Sequence, residues 1–518
     1  MSYHSPEHPK VRSSKLASSL PNQDHPGSGA IEDAFGPNSS IFNETTERLT
    51  SIYQQANHVP SVAARFREWQ RFRRLTSVEL TTDESSFTNQ TYLALLARIT
   101  ARCFVAPASP IFDNEELLEI VNSDYFTRRG ISNFGEGDIF SWLLSESIWK
   151  LNLGELVLET IQNLADAAER YNFNDAYPGA LDSIFQQLAP ARQTIPRWLA
   201  EYIVKHELGL ADQSNLSLLD TACGTGAFLC AAIETMAHDI ASSDGDPMDT
   251  IFKAPDQIRG MDSDPLSVAL ARFNYLLAFG KLVQQDHPSF LIPIYLANGY
   301  IDNSNAAIQN PLSTDVGTFP LPEPVIENPL MLDWLLGRIT NYMDGAKLRL
   351  HVQPEEVAIQ EVLNAYYNYL TAPKPRTPIP EALTSEQADT LLETARNLIQ
   401  LHIQGEGTLW LHLVQNMAAP MIFAKRGFDR ITGLSSSTDL DFVTNYYLSP
   451  DGHAAIINSL ETALSATDCR LVNLVNVLPE QALLVKPGEG SVRIELAAEN
   501  IPDSKPWNEA KKDIRIVE

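Results

Sequence analysis

The chain has 518 residues, and its 44% hydrophobic and 20% charged content is typical of a folded globular protein with two or three domains. The net charge of −27 argues against a surface coated for non-specific nucleic-acid binding, although a local basic groove stays possible. Four cysteines without a C-x-x-C pair, no apolar run of membrane-spanning length and no secretory signal predict a reducing, cytoplasmic setting without a disulfide framework, a metal site or a membrane.

The N-terminal part divides into a lead-in and a helical region. Residues 1–42 are rich in Ser, Pro, His and Asn and predict a disordered lead-in, whereas residues 43–180 predict a helical domain. The segment Ser61–Leu75 places three aromatic residues on one side of a helix and arginines around them. These arginines either contact a DNA phosphate backbone or form a solvated basic edge paired with the acidic excess, and both interpretations stay open: Arg65, Arg67, Arg71, Arg73 and Arg74.

An alternation of short strands and helices begins at residue 216. It predicts the first part of an open parallel α/β sheet over residues 181–300, whose ligand crevice lies at the carboxyl ends of the strands. The predicted elements are strand Leu216–Leu219, helix Ala227–His238, strand Gln257–Met261, helix Pro265–Leu277 and strand Phe290–Ala297.

The sheet pattern is then interrupted and resumes. Residues 301–406 predict a helical insertion, residues 407–485 the second part of the sheet domain, and residues 486–518 a C-terminal tail. Two Asn-Pro pairs in the insertion, at 310–311 and 328–329, are interpreted as turns. The resumed elements are helix Leu409–Ala424, strand Phe428–Thr432 and terminal strands Leu471–Val477 and Gln481–Val485.

A glycine loop after the first strand is the strongest local signal. Gly224 and Gly226 let the backbone turn tightly and approach a ligand, and the helix that follows offers unpaired N–H groups. Leu229 stands where a dinucleotide fingerprint has its third glycine, which disfavours NAD. A tight turn without any ligand is the alternative.

Two acidic residues end the second predicted strand. Asp264 precedes Pro265 and suits the N-cap of the next helix. Asp262 would then be free to accept hydrogen bonds from the ribose hydroxyls of a nucleoside ligand. Helix capping alone is the competing interpretation.

Together, D-x-A-C-G-T-G-x-F-L from Asp220 and G-x-D-x-D-P from Gly260 resemble the S-adenosylmethionine site of adenine-N6 DNA methyltransferases of the restriction-modification type. The resemblance covers most of residues 90–443. It implies an α/β fold with a Rossmann-like S-adenosylmethionine methyltransferase sheet, an N-terminal helical domain and a helical insertion, with DNA as partner. Further similar segments follow in the same order: Thr91–Arg98, Tyr125–Leu144, Pro196–Val204 and Gln415–Gly433.

The resemblance also implies which residues hold S-adenosyl-L-methionine: Asp220, Ala222, Gly224, Gly226, Phe228, Asp262, Asn298 and Pro196. Two departures imply weakened binding. The segment before Pro196 lacks the family's paired aromatics, and Asn298 replaces a common Asp, although its carbonyl still accepts a hydrogen bond.

The catalytic tetrapeptide of the family, Asn-Pro-Pro-aromatic, is missing. Gly433 is followed by Leu434, Ser435, Ser436 and Ser437, which offer neither the acceptor pair for the adenine amine nor an aromatic face for a flipped base. No catalytic residue is intact, so we expect impaired methyl transfer. The residues after Val443 predict a truncated target-recognition region.

Two other functions stay open at this point. One is a non-catalytic DNA- or partner-binding scaffold of a restriction-modification or defence system, working with a partner subunit. The other is a small-molecule methyltransferase that uses the same cofactor site.

Overall fold

The computed structural model describes residues 28–74, 81–109, 111, 113–171, 173, 176–190, 192, 194–211, 216–297, 311–372 and 382–434, together with the backbone of the strands at 470–478, 481–486, 490–496 and 514–517. Asn298 and Ser435 to Ser437 lie outside these residues.

The N-terminal region is helical because its apolar side chains recur at helical spacing and bury against one another. Helix α1 belongs to this packing through the buried side chains of Ile31 and Phe35, so the predicted disordered lead-in to residue 42 is wrong for residues 28–42. The helices are α1 Ser28–Phe35, α2 Ser40–Ala56, α3 Pro60–Arg74, α4 Glu84–Val105, α5 Asn114–Asn122, α6 Asp124–Arg128, α7 Glu146–Lys150, α8 Gly154–Ala168, α9 Asp182–Leu188 and α10 Arg197–Tyr202, with a 3₁₀ turn at Ile139–Leu144 and a π-helical turn at Ile203–Glu207.

An eight-stranded sheet forms the rest of the framework. The strands of the described part of the chain are β1 Ile131–Ser132, β2 Leu218–Asp220, β3 Ile258–Asp262, β4 Phe290–Leu291, β5 Ile294–Leu296, β6 Pro311–Thr314, β7 Gly317–Pro320, β8 Arg430–Leu434, β9 Arg470–Leu478, β10 Gln481–Lys486, β11 Gly490–Leu496 and β12 Ile514–Val517. The sheet order is β5-β3-β2-β8-β9-β10-β11-β12, in which the first five strands are parallel and the last three pair antiparallel. This arrangement confirms the α/β class and the parallel sheet predicted after residue 216.

Three helices connect the parallel strands β2, β3 and β5. They are α11 Ala227–Ser242 between β2 and β3, preceding α12 Asp249–Gln257, and α13 Pro265–Ala278 after β3. The predicted third strand, Phe290–Ala297, is two strands. Pro293 separates them, so that β4 pairs with β1 in a small parallel sheet while β5 pairs with β3 in the main one.

The insertion between β5 and β8 adds a hairpin of β6 and β7 and a helical bundle, whose helices are α14 Glu323–Glu327, α15 Pro329–Arg349, α16 Glu355–Thr371 and α17 Ser385–Ile403. Asn328 caps α15 through its side chain and Pro329 is the first helical residue, so the predicted turn at this pair is a helix start. The predicted helix Leu409–Ala424 is two helices, α18 Leu409–Met417 and α19 Ala419–Arg426, since Pro420 cannot donate the hydrogen bond that would continue α18.

One hydrophobic core joins described residues from Ile31 to Ile431. Among the described residues, no helix combines the length and apolar character that crossing a membrane would require.

Candidate functional site

The strand order creates a crevice beside the glycine loop, which we define as residues 221–226. From β2 the chain moves to β3 and β5 on one side and later returns to β8 on the other. Such a reversal of direction leaves an opening at the carboxyl ends of parallel strands, where ligands of open α/β sheets bind. The glycine loop follows β2 at this opening, as the sequence predicted.

Backbone hydrogen bonds hold the glycine loop against both neighbouring strands. Thr221 N–H donates to the Thr432 carbonyl at 3.0 Å, and Cys223 N–H donates to the Met261 carbonyl at 3.0 Å. The loop is therefore fixed across three strands before any ligand binds, which lowers the ordering cost of binding.

Different structural constraints apply at the two loop glycines. Both adopt positive φ, +52° at Gly224 and +89° at Gly226. A Cβ on Gly226 would lie 3.3 Å from the Ala271 Cα, so this glycine allows α11 to pack closely on α13. A Cβ on Gly224 would meet nothing within 4 Å, which leaves open space on that side of the loop.

Asp220 is a buried carboxyl at the end of β2. Its Oδ1 accepts a hydrogen bond from the Ala222 N–H at 3.2 Å, and its Oδ2 has no hydrogen-bond partner among the described residues. Burial raises the pKa of Asp220 well above its usual range, and the charge of Asp262 raises it further. The site thus holds a carboxyl that favours its protonated form.

This raised pKa predicts how stability depends on pH. Below the pKa of the unfolded chain both states carry the proton, but above it only the folded state keeps it, so the free energy of unfolding falls as the pH rises toward the folded-state pKa. Asp220→Asn should remove this loss and make the protein more stable than wild type by at least about 1 kcal/mol at pH 7, with no gain at pH 3.5. Urea denaturation at both pH values measures the difference in the free energy of unfolding between wild type and variant, with exposed Asp246→Asn as the control. A gain of equal size at both pH values would contradict this prediction.

Asp262, at the end of β3, is engaged by the protein itself. Its Oδ1 accepts hydrogen bonds from Arg192 Nη2 at 3.1 Å and from the Asp264 N–H at 2.8 Å, and its Oδ2 accepts one from the Gly224 N–H at 3.0 Å. The expectation that Asp262 is free for a ribose is therefore wrong for this arrangement, because Arg192 from the loop after α9 reaches over the end of the strand.

Asp264 caps helix α13, as predicted. Its Oδ2 accepts hydrogen bonds from the Ser267 N–H and Oγ, both at 2.9 Å. Its Oδ1 also pairs with Arg73 Nη1 at 3.2 Å, and both side chains are almost fully buried. The crevice is thus bordered by two ion pairs, the buried pair Arg73–Asp264 and the partly exposed pair Arg192–Asp262.

The arginine-rich helix α3 buries two of its five arginines. Arg65 is buried and donates to the Ser61 carbonyl, and Arg73 is buried at Asp264, so neither can contact a DNA backbone, and a fully solvated basic edge is equally wrong. Arg67 and Arg71 both pair with Glu68, and Arg67 also pairs with Glu406. Arg67 and Arg74 are the two exposed arginines of the five, and Arg71 is half-buried.

The structure also locates the other predicted cofactor residues. Ala222 is half-buried in the glycine loop, and Phe228 is buried in the first turn of α11. Pro196 precedes α10, where its carbonyl accepts hydrogen bonds from the backbone of the first helical turn.

Gly433 follows Thr432 on β8 and lies against the glycine loop. A Cβ on Gly433 would lie 2.9 Å from the Thr221 Oγ1, so only glycine fits between strand and loop without displacing that hydroxyl. The backbone of β8 continues to Leu434, and the rest of the predicted catalytic tetrapeptide lies outside the described residues.

A cavity of about 260 Å³ with a mixed polar and apolar lining adjoins the glycine loop and was not predicted from the sequence. Thr225 and the start of α11 form one wall, and α9 and the segment around Thr194 form another. Its polar lining includes Glu234, which pairs with Arg197 at 2.9 Å. Burial raises the pKa of Glu234, with Arg197 acting against that rise. The resemblance of residues 193–196 to a cofactor-contacting segment was the only sequence signal for this cavity.

Solved protein–DNA complexes are similar to about half of this chain. No family model matches the sequence, and no curated protein matches it. One similar solved structure is a nuclease-deletion mutant of the Type ISP restriction-modification enzyme LlaGI in complex with a DNA substrate mimic, with 14% identity, 54% of this chain and 23% of that chain covered, and a TM-score of 0.29. Another is the DrdV–DNA complex determined by cryo-electron microscopy, with 12% identity, 50% and 25% coverage, and a TM-score of 0.28. The match therefore spans about a quarter of either protein.

Proposed function

We propose that the chain is an S-adenosylmethionine-binding protein of the adenine-N6 DNA methyltransferase type, belonging to a restriction-modification system, with impaired methyl transfer. The observation that carries the proposal is the contact between the glycine loop and the end of β8. These are the segments proposed to hold the methyl donor and the target base, and they lie side by side through Thr221 and Gly433.

This proximity matters because methyl transfer needs the donor and the acceptor amine in line and in contact. When bound, S-adenosylmethionine supplies an electrophilic methyl group. The strand end at Gly433 would position the amine of a flipped-out adenine beside the glycine loop. With leucine at 434 and serines after it, the side chains of this segment lack the paired acceptors that orient an adenine amine.

Three features of the crevice fit the cofactor. Open space lies beside Gly224, the first turn of α11 offers backbone N–H groups to a carboxylate, and Asp220 Oδ2 is a buried oxygen without a partner among the described residues. Asp262 does not fit the cofactor in its present contacts, because its carboxylate is paired with Arg192. We therefore expect binding that is weaker than a free Asp262 would give.

The proposal is tested by calorimetry with S-adenosylmethionine and by tritium transfer from labelled cofactor to unmethylated DNA. We expect binding in the micromolar to millimolar range and little transfer by the wild type. A variant with Leu434→Asn, Ser435→Pro, Ser436→Pro and Ser437→Trp restores the family's tetrapeptide and should raise transfer at least tenfold, since it returns the acceptors and the stacking face. Absence of cofactor binding at millimolar concentration, in both wild type and variant, would refute the proposal.

A second function is favoured by the Arg192–Asp262 pair and by the altered tetrapeptide. A scaffold that no longer binds the cofactor has no need of a free Asp262, and the ion pair leaves neither charge unpaired in the crevice without a ligand. Such a protein would bind DNA or a partner subunit without methyl transfer. Gel-shift binding to DNA that is unaffected by S-adenosylmethionine, with no calorimetric signal, distinguishes it from the first proposal.

A further inference from the structure

We propose that Arg192 competes with the ribose of a bound nucleoside for Asp262 and thereby sets the affinity of the crevice for its cofactor. The inference rests on the proposed function, because it assumes that a nucleoside ligand enters at the end of β3.

The competition follows from counting acceptor sites. A carboxylate has about four lone-pair positions, and Asp262 uses three of them, on Arg192, on the Asp264 N–H and on the Gly224 N–H. The 2′- and 3′-hydroxyls of a ribose need two. The backbone donors cannot leave without unfolding the loop or the start of α13, so Arg192 is the group that has to move.

Arg192 is also the group that can move. Its side chain is 18% exposed, whereas that of Asp262 is 2% exposed, so a rotation of the arginine leads to solvent. Its Nε has no hydrogen-bond partner among the described residues, which leaves the Asp262 contact as a main anchor of the guanidinium. Burial lowers the pKa of Arg73, and the nearby positive charge of Arg192 is among the influences that lower it further, so displacing Arg192 relieves a repulsion.

The charges at the site explain why the contact between Arg192 and Asp262 is nevertheless preferred without ligand. Burial alone would lower the pKa of Arg192, but the negative charges of Asp262 and Asp264 outweigh it and raise that pKa. A ligand that approaches Asp262 has to replace a charge-assisted hydrogen bond by hydroxyl contacts, and this exchange costs affinity.

The test is calorimetric titration of wild type, Arg192→Ala and Arg192→Met with S-adenosylmethionine. Both variants should bind at least tenfold more tightly than wild type, because the competing donor is gone. Arg192→Met keeps the aliphatic packing and serves if the alanine variant does not fold. Arg170→Ala removes the same charge from an exposed position and should leave the affinity unchanged.

A second measurement separates competition from a general change in the crevice. In the Asp262→Asn background, Arg192→Ala should give no gain in affinity for S-adenosylmethionine, since the carboxylate for which Arg192 and the ribose compete is altered. S-adenosylhomocysteine should also lose more affinity on removal of its 2′-hydroxyl in Arg192→Ala than in wild type. Equal, measurable affinity of wild type and variants would overturn the role of Arg192 and leave the proposed function intact. Failure of folded Arg192→Ala and Arg192→Met to bind any ligand would overturn both.

Discussion

Arg73→Ala is expected to lower the free energy of unfolding by about 3–5 kcal/mol, because it leaves a buried carboxylate without its cation. Arg73 and Asp264 are 1% and 0% exposed, and their side chains lie 3.2 Å apart. After the substitution the Asp264 carboxylate keeps its two hydrogen bonds from Ser267, and the contact of the guanidinium with the Trp69 ring is also lost. Urea denaturation followed by circular dichroism measures the change.

The neighbouring Arg74→Ala is the matched control, since it removes the same side chain from an exposed position of the same helix, and it should cost less than about 0.5 kcal/mol. In an Asp264→Asn background the cost of Arg73→Ala should fall, because asparagine still caps α13 but carries no charge to be stranded. If Arg73→Ala and Arg74→Ala destabilise the protein equally, the buried pair does not stabilise the contact between the helical region and the sheet.

The Arg73 contact also shows what the sequence could not predict. The pattern of α3 predicted its helix and its aromatic face, because both depend on local spacing. The partners of its arginines lie far away in the chain, with Asp264 separated from Arg73 by 191 positions. Composition indicates only that acidic partners are abundant, so the sequence is compatible with a DNA-facing or a solvated edge and does not predict that Arg65 and Arg73 are buried.

The same limit applies to the crevice. The glycine loop, β2, β3 and the capping role of Asp264 were predicted because each depends on residues a few positions apart. The loss of a free Asp262 depends on Arg192, which is 70 positions away and belongs to no regular element. The predicted element boundaries were wrong at two prolines, Pro293 and Pro420. The apolar pattern continues on both sides of each proline, but a proline has no N–H to continue the backbone hydrogen bonds.

The two loop glycines provide the second large effect. Gly226→Val should destabilise the protein by about 3 kcal/mol, through a β-branched residue forced to φ of +89° and through overpacking against Ala271. Gly224→Ala is the comparison, because it also places a Cβ on a residue with positive φ, but this Cβ meets nothing within 4 Å. It should lower the free energy of unfolding by only about 1 kcal/mol.

The comparison between these variants is informative because it separates the two constraints on the glycine loop. If strain from positive φ dominated, Gly226→Ala and Gly224→Ala would cost the same, about 1–2 kcal/mol each. If the approach of α11 to α13 dominates, Gly226→Ala already costs more than Gly224→Ala, and the step from alanine to valine at 226 adds further loss, because its methyl groups reach toward the backbone of Ala271. We expect the second result in urea denaturation. It would mean that helix packing demands Gly226, whereas Gly224 is constrained by backbone conformation and by whatever occupies the open space beside it.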